Sequence, residues 1–193
     1  MSFDAAYYQR YYFDPRSAVT TRAQTARRAR LIAACLRYLD LPVRRILDAG
    51  CGVGALHRPL LRQLEEAKIV GLEVSDYLCG RYGWKQGAIE DFRPRGRFDL
   101  VICYDVLQYL DDDAARRALG NLARLCRGAL YFGALTREDW KENCDRSATD
   151  RTPFLRPGSW YRRELARGFV PLGWGIWVQR RTPVALWDLE RAG

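Results

Sequence analysis

The chain has 193 residues, of which 48% are hydrophobic and 28% are charged. This composition excludes a disordered chain and predicts one domain that buries a core without disulfides or a metal. The formal net charge of +9 comes from arginine, because lysine occurs only at positions 68, 85 and 141. No run approaches about 18 apolar residues. The first residues do not resemble a signal peptide, so we expect a cytoplasmic protein without a membrane partner.

The first 15 residues are rich in aromatic side chains. Tyr8 and Tyr12 share one helical face, so a short helix that folds as an arm is predicted here. An amphipathic helix is predicted next, at 17–40, and a proline separates it from a strand at 44–48.

The segment 46–54, ILDAGCGVG, joins an apolar run to an acid and three alternating glycines. It predicts a buried strand that enters a tight turn, where glycine lets the backbone bend sharply and approach a ligand. The helix predicted after it, at 55–67, would direct unpaired backbone N–H groups toward that ligand. The turn therefore predicts a nucleotide-like ligand.

A second strand is predicted at 68–73 and ends in Glu73, about 20 residues after the glycines. A carboxylate at this position can accept both hydroxyl groups of a ribose. The simpler alternative is a solvated acid at a strand end.

The remaining elements are predicted from periodicity and from turn residues. We expect helices at 75–82, 111–126 and 159–167, strands at 84–88, 98–104 and 128–134, and a closing hairpin of 170–178 with 183–189. Ser159 is expected to cap the last helix. The polar segment 136–158 would lie beside the ligand crevice, so it is predicted to recognise a substrate or to form an ordered cap.

Four segments in this order resemble the class I S-adenosylmethionine-dependent methyltransferases. They are DAGCGVG at 48–54, Glu73, GAIEDF at 87–92 and FDLVICYDVLQYL at 98–110. The resemblance implies an α/β fold: a Rossmann-like, doubly wound, mostly parallel seven-stranded sheet of order 3-2-1-4-5-7-6, with helices on both faces and an N-terminal helical arm. A dehydrogenase is the rival, but its turn is G-x-G-x-x-G, whereas this chain has G-x-G-x-G.

The resemblance also implies how the chain is organised and what it binds. It implies one domain over 1–193, with an arm or lid at 1–40, a cofactor core at 43–135, the insertion 136–158, and a last helix and hairpin at 159–193. The implied cofactor is S-adenosyl-L-methionine, released as S-adenosyl-L-homocysteine. The residues implied to bind it are Asp48, Gly50, Cys51, Gly52, Gly54, Glu73, Val74, Ala88, Ile89, Glu90 and Tyr104.

One cofactor contact departs from the family. Many members have an Asp where this chain has Ala88, and its carboxylate accepts the adenine amino group. Glu90, Asp91 or backbone groups would have to accept instead.

The implied reaction moves the sulfonium methyl group to an O or N atom of a small-molecule acceptor. It needs alignment more than a universal catalytic residue. The candidates that would flank the methyl group are Tyr12, Tyr104, Asp105 and Tyr109. His57, the only histidine, is a packing residue, a contact of the cofactor or a general base. No metal is expected, because the acids at 111–113 suit a helix start.

Two alternative functions stay open at this point. The arginines favour an RNA or protein methyltransferase, although they are scattered among acids and no known RNA-binding module accompanies them. A non-catalytic module that binds the cofactor or its product would keep the same glycines and acid. The six cysteines form no C-x-x-C pair and predict reduced thiols, and we expect a monomer or a homodimer.

Overall fold

The computed structural model describes residues 5–9, 21–145, 149 and 153–192. Within these ranges, seven strands form one sheet in the order β3-β2-β1-β4-β5-β7-β6. They are β1 (Arg45–Ala49), β2 (Lys68–Glu73), β3 (Lys85–Gln86), β4 (Phe98–Tyr104), β5 (Cys126–Gly133), β6 (Phe169–Gly173) and β7 (Ile176–Gln179). Strand β7 runs antiparallel to β5 and β6, and all other pairs are parallel. The strand order and directions confirm the predicted fold class.

The helices in the described part of the chain cover both faces of the sheet. They are α1 (Ala5–Tyr8), α2 (Arg22–Tyr38), α3 (His57–Leu61), α4 (Asp76–Tyr82), α5 (Asp112–Leu125), α6 (Arg137–Glu142) and α7 (Gly158–Leu165). Alternate residues of β4 explain the two layers: Leu100 and Ile102 pack under α2 and α3, whereas Val101 packs under α5 and α7. Among the described helices, none is both long and apolar enough to cross a bilayer.

Several predicted boundaries were wrong at helix ends. Helix α2 begins at Arg22 rather than at 17, because Thr21 and Gln24 form a capping box that satisfies backbone N–H groups at the helix start. Helix α3 ends at Leu61 rather than at 67, and tighter turns lead from it to β2. Ser159 does not cap α7, whose N-cap residue is Pro157.

The predicted closing hairpin was also wrong. A single strand was expected over 170–178, but the chain reverses inside it and forms β6 and β7. The reversal uses left-handed backbone at Gly173, Trp174 and Gly175, with φ of 92°, 48° and 80°. Two of these residues are glycines, which adopt such φ values without steric cost. The segment 183–187 is therefore left outside the sheet.

Candidate functional site

The glycine turn after β1 is packed on one side and open on the other. Gly50 and Gly52 have φ of 76° and 53°, a region that favours glycine. A Cβ at Gly50 would lie 2.4 Å from a methyl carbon of Val106, so a side chain there would displace the loop after β4. A Cβ at Gly52 would meet nothing within 4 Å. The turn therefore presents bare backbone to open space.

Glu73 joins the glycine turn to the end of β2. One carboxylate oxygen accepts the N–H of Gly52 at 2.8 Å, and the other accepts those of Val74 and Ser75 at 2.8 and 3.1 Å. The residue is only 6% exposed. A carboxylate has about four lone-pair sites, so three N–H donors leave capacity for a ligand hydroxyl group.

A cavity of about 210 Å³ lies over this edge of the sheet. It is lined by Tyr8, Gly50, Gly52, Leu72, Glu73, Val74, Gly87, Ala88, Ile89, Glu90, Asp105, Val106, Tyr109 and Leu110. The wall includes seven of the residues that the sequence assigned to the cofactor and two of the catalytic candidates. Tyr8, in the N-terminal arm, lines this cavity, whereas Tyr12 lies outside the described residues.

Glu90 carries an unsatisfied acceptor in the cavity wall. Its Oε2 atom is buried and finds no hydrogen-bond donor among the described residues. An unpaired buried acceptor costs free energy, so a ligand donor at this point would be stabilising. Asp91, the alternative considered for the same role, is exposed and does not line the cavity.

Asp48, Cys51 and Gly54 do not line the cavity. Asp48 Oδ2 lies 2.9 Å from His57 Nε2, and both side chains are largely buried. Burial raises the pKa of the Cys51 thiol, which stays protonated. The predicted contacts of these residues with a cofactor stay predictions.

Trp84 covers the outside of the glycine turn and was not found from the sequence. Its indole N–H donates to the carbonyl of Gly52 at 3.0 Å, and its ring lies edge-on to His57 with centroids 4.9 Å apart. Cβ atoms at Gly54 and Gly71 would approach this ring to 2.7 and 2.9 Å. An aromatic residue before a short edge strand carries no sequence signal for this role.

Tyr104 points away from the cavity, into a cluster with Arg28 and Tyr131. The guanidinium carbon of Arg28 lies 3.8 Å from the centre of the Tyr104 ring, which stacks on Tyr131 with centroids 5.4 Å apart. Burial raises the pKa of both phenols, to about 12 for Tyr131. Both rings therefore keep their protons at neutral pH. Arg28 was not singled out among the many arginines of the sequence.

Asp105 has the most perturbed carboxyl group in the cavity wall. Its φ of 58° places it in the left-handed region, and its side chain is exposed to solvent although many protein atoms lie around it. Burial raises its pKa to about 6, while Arg28 opposes and Asp139 adds to the rise. A carboxyl group that titrates near neutral pH suits proton transfer.

The chain is similar in sequence to known methyltransferases. Residues 47–128 match a family model described as a methyltransferase domain. The malonyl-acyl-carrier protein O-methyltransferase of Magnetococcus marinus is 30% identical over 136 residues, which are 63% of this chain and 50% of the relative. A ubiquinone biosynthesis O-methyltransferase of a Bradyrhizobium species is 30% identical over 109 residues, or 50% and 42% of the two chains.

The fold matches as well. A crystal structure of the magnesium protoporphyrin IX methyltransferase of Synechocystis with bound S-adenosyl-L-homocysteine covers 89% of this chain and 94% of its own, with TM-score 0.58 and 19% identity. The chain therefore has the fold of the class I methyltransferases, and its residues 47–128 match the methyltransferase-domain model. The matched part of the chain spans half or less of the length of the two curated relatives.

Arg156 lies in the insertion predicted at 136–158 and ties this segment to the wall of the cavity. This guanidinium is buried and donates to Asp112 at 2.8 Å, to Tyr161 at 3.2 Å and to the carbonyls of Leu107 and Leu110 at 3.0 and 2.5 Å. The two carbonyls flank the turn that carries Tyr109. The sequence contained no signal that distinguished Arg156 from the other arginines.

We predict that the free energy of unfolding of this protein depends on pH through the titration of Asp105. The unfolded carboxyl titrates near pH 3.9 and the folded one near 6, so the folded state binds more protons between these values and loses stability as the pH rises. Asp105→Asn removes this loss, and Asn tolerates left-handed backbone. Its stability relative to the natural chain should rise by on the order of 1 kcal/mol, because solvent screens part of the effect.

Urea denaturation of both proteins at intervals from pH 4 to pH 8 measures this difference. A difference in unfolding free energy that stays constant over the whole range would show that Asp105 titrates normally.

In the described residues, no three His, Cys, Asp or Glu side chains are grouped so that they could hold a metal ion. The six cysteines carry free thiols.

Proposed function

We propose that this protein transfers a methyl group from S-adenosyl-L-methionine to an O or N atom of a small-molecule acceptor. The observation that carries the proposal is the single cavity bounded by Gly52, Glu73 and Glu90 on one side and by Asp105 and Tyr109 on the other. The carboxylates of Glu73 and Glu90 offer hydrogen-bond acceptors for a nucleoside, and Asp105 beside them offers a titratable group for the methyl acceptor.

The residues of the cavity fit the cofactor on three counts. Gly52 faces open space, so its backbone can approach a ligand that a Cβ would keep at a distance. Glu73 keeps acceptor capacity for a ribose hydroxyl group. The unsatisfied Oε2 of Glu90 supports its role as the acceptor of the adenine amino group, which replaces the Asp that many family members have at Ala88.

The sulfonium of the bound cofactor supplies an activated methyl group, so the chain mainly has to align the acceptor and exclude water. Tyr8 and Tyr109 close the far wall of the cavity with aromatic surface. Asp105, with a pKa of about 6, is mostly ionised at neutral pH and can take the proton that an attacking hydroxyl or amine releases.

A small acceptor is favoured over a macromolecule by the relatives and by the walls of the cavity. By their names, the curated relatives methylate oxygen atoms in malonyl-acyl-carrier protein and in ubiquinone biosynthesis. The insertion is tied by Arg156 to the carbonyls of Leu107 and Leu110, beside Tyr109 of the cavity wall, and it is proposed to recognise the acceptor. A cytoplasmic location and a monomeric or dimeric state stay predictions.

Cofactor with a radioactive methyl group tests the proposal directly. The protein is incubated with this cofactor and with a cell extract divided into small-molecule, RNA and protein fractions. We expect label in the small-molecule fraction only. Label in the RNA or protein fraction would contradict a small acceptor, and tight cofactor binding with no label in any fraction would favour a non-catalytic module.

A further inference from the structure

The edge of the sheet opposite the cavity collects positive charge. Each of six neighbouring strands has a cation at this end, either within its first two residues or just beyond its terminus. They are Lys68 at β2, Arg45 at β1, Arg97 at β4, Arg127 at β5, Arg180 at β7 and Arg167 at β6. We call this set the cationic edge. Neighbouring strands are about 4.8 Å apart, so the row extends over about 24 Å.

Three of these arginines donate hydrogen bonds to neutral backbone carbonyls. Arg45 donates to two carbonyls at 3.2 and 3.1 Å, and Arg180 donates to the carbonyl of Ala166 at 2.8 Å. Arg97 donates to the carbonyl of Arg124 at the end of α5 and to that of Cys126 at the start of β5. A carbonyl fixes a guanidinium in place but does not cancel its charge. These side chains are therefore ordered and still cationic.

Carboxylates neutralise only part of the cationic edge. Asp99 pairs with Arg127 at 2.7 Å, and Glu164 pairs with Arg167 at 3.0 Å. Among the described residues, no ion pair is formed by Lys68, Arg45, Arg97 or Arg180. Like charges at neighbouring strand ends repel one another and oppose folding. A bound anion would relieve this repulsion.

The middle of the row is concave. A cleft of about 620 Å³ lies between the end of α5, the residues after α7 and the end of β7. Its arginines are Arg97, Arg124, Arg167, Arg180 and Arg181. A planar guanidinium donates two parallel hydrogen bonds to a phosphate, which makes such a cleft a fitting site for phosphate groups.

We propose that the cationic edge binds the phosphate backbone of a nucleic acid without reading its sequence. A row of cations along one line, with a concave centre, suits a linear polyanion that follows it. The cofactor cavity lies at the other end of the strands, so the nucleic acid is not placed as a methyl acceptor. The site therefore stands independently of the proposed methyl transfer and leaves the acceptor a small molecule.

Fluorescence anisotropy with labelled single-stranded RNA and DNA of about 20 nucleotides tests this site, because such grooves cover fewer nucleotides than that. We expect micromolar binding at low salt and a plot of log affinity against log salt with a slope of about −3, for about five phosphate contacts. The triple variant Arg97→Gln/Arg180→Gln/Arg181→Gln should bind at least about tenfold more weakly, with a slope reduced by about 2.

A matched control separates the effect of this site from the effect of lowering the net charge. Arg22→Gln/Arg27→Gln/Arg30→Gln removes the same charge from exposed positions of α2 and should change affinity by less than about twofold. Both variants should bind S-adenosyl-L-methionine as the natural chain does. If the triple variant fails to fold, Arg181→Gln alone should still lower affinity by about threefold.

Three results would overturn the proposal. They are no binding of either oligonucleotide at low salt, equal losses in the edge and α2 variants, and equally tight binding to phosphatidylglycerol vesicles or to polyglutamate. Binding of RNA in preference to DNA, or the reverse, would identify the source of the phosphates and support the site.

Discussion

Replacing Glu73 with alanine is expected to weaken the binding of S-adenosyl-L-methionine and of its demethylated product by at least about tenfold. A hydrogen bond to a charged group contributes about 1.5 kcal/mol or more, and the ribose would lose the one that it makes to this carboxylate. The variant also leaves the N–H of Gly52 without its acceptor, so the glycine turn loses its tie to β2. Both effects weaken the binding of the cofactor.

Isothermal titration calorimetry of the natural chain and the variant measures this change. Glu66→Ala is the matched control, because it removes the same charge from an exposed position just before β2. Thermal melts show whether each variant is folded. If folded Glu73→Ala protein bound the cofactor as tightly as Glu66→Ala protein, Glu73 would not contact the ribose.

Replacing Arg156 with methionine is expected to lower the free energy of unfolding by about 3 kcal/mol. Methionine fills much of the same space but offers no donors, so the carbonyls of Leu107 and Leu110 and the hydroxyl of Tyr161 lose their partner. Leaving buried acceptors unsatisfied costs about 1–3 kcal/mol for each group, and local relaxation recovers part of it. The melting temperature should fall by about 6–12 °C.

Urea denaturation gives this difference directly. Arg163→Met on helix α7, which follows Arg156, is the control, since its side chain is exposed and should change stability by less than about 0.5 kcal/mol. Equal stability of the two variants would mean that Arg156 does not anchor the insertion.

The cofactor side of the cavity could be predicted from the sequence because its residues are close in the chain and have backbone requirements. The glycines of the turn and Glu73 occur at a spacing set by one strand, one helix and the next strand. Glu90 was one of several alternatives for the adenine contact, and only the structure showed that its Oε2 lies buried in the wall while Asp91 is exposed.

Strand β4 was predicted over the correct residues, yet the orientation of its last side chain was not. Tyr104 was expected beside the methyl group, but the alternation of side chains along the strand directs it under α2, against Arg28. Asp105 follows with left-handed backbone and points to the cavity instead. A turn conformation of this kind depends on the loop that packs against it, so local sequence could not determine it.

The sequence by itself determined strands β1, β2 and β4, the glycine turn and the acid that faces it, because hydrophobic periodicity, glycine and strand length act locally. Only the tertiary structure decided where the arginines go. They are scattered along the chain, but the parallel strands bring their starting ends, and the antiparallel β7 its last end, to one edge, and Arg45, Arg97 and Arg180 all lie there. Position along the chain does not encode that proximity, since it arises from the order in which the strands pair.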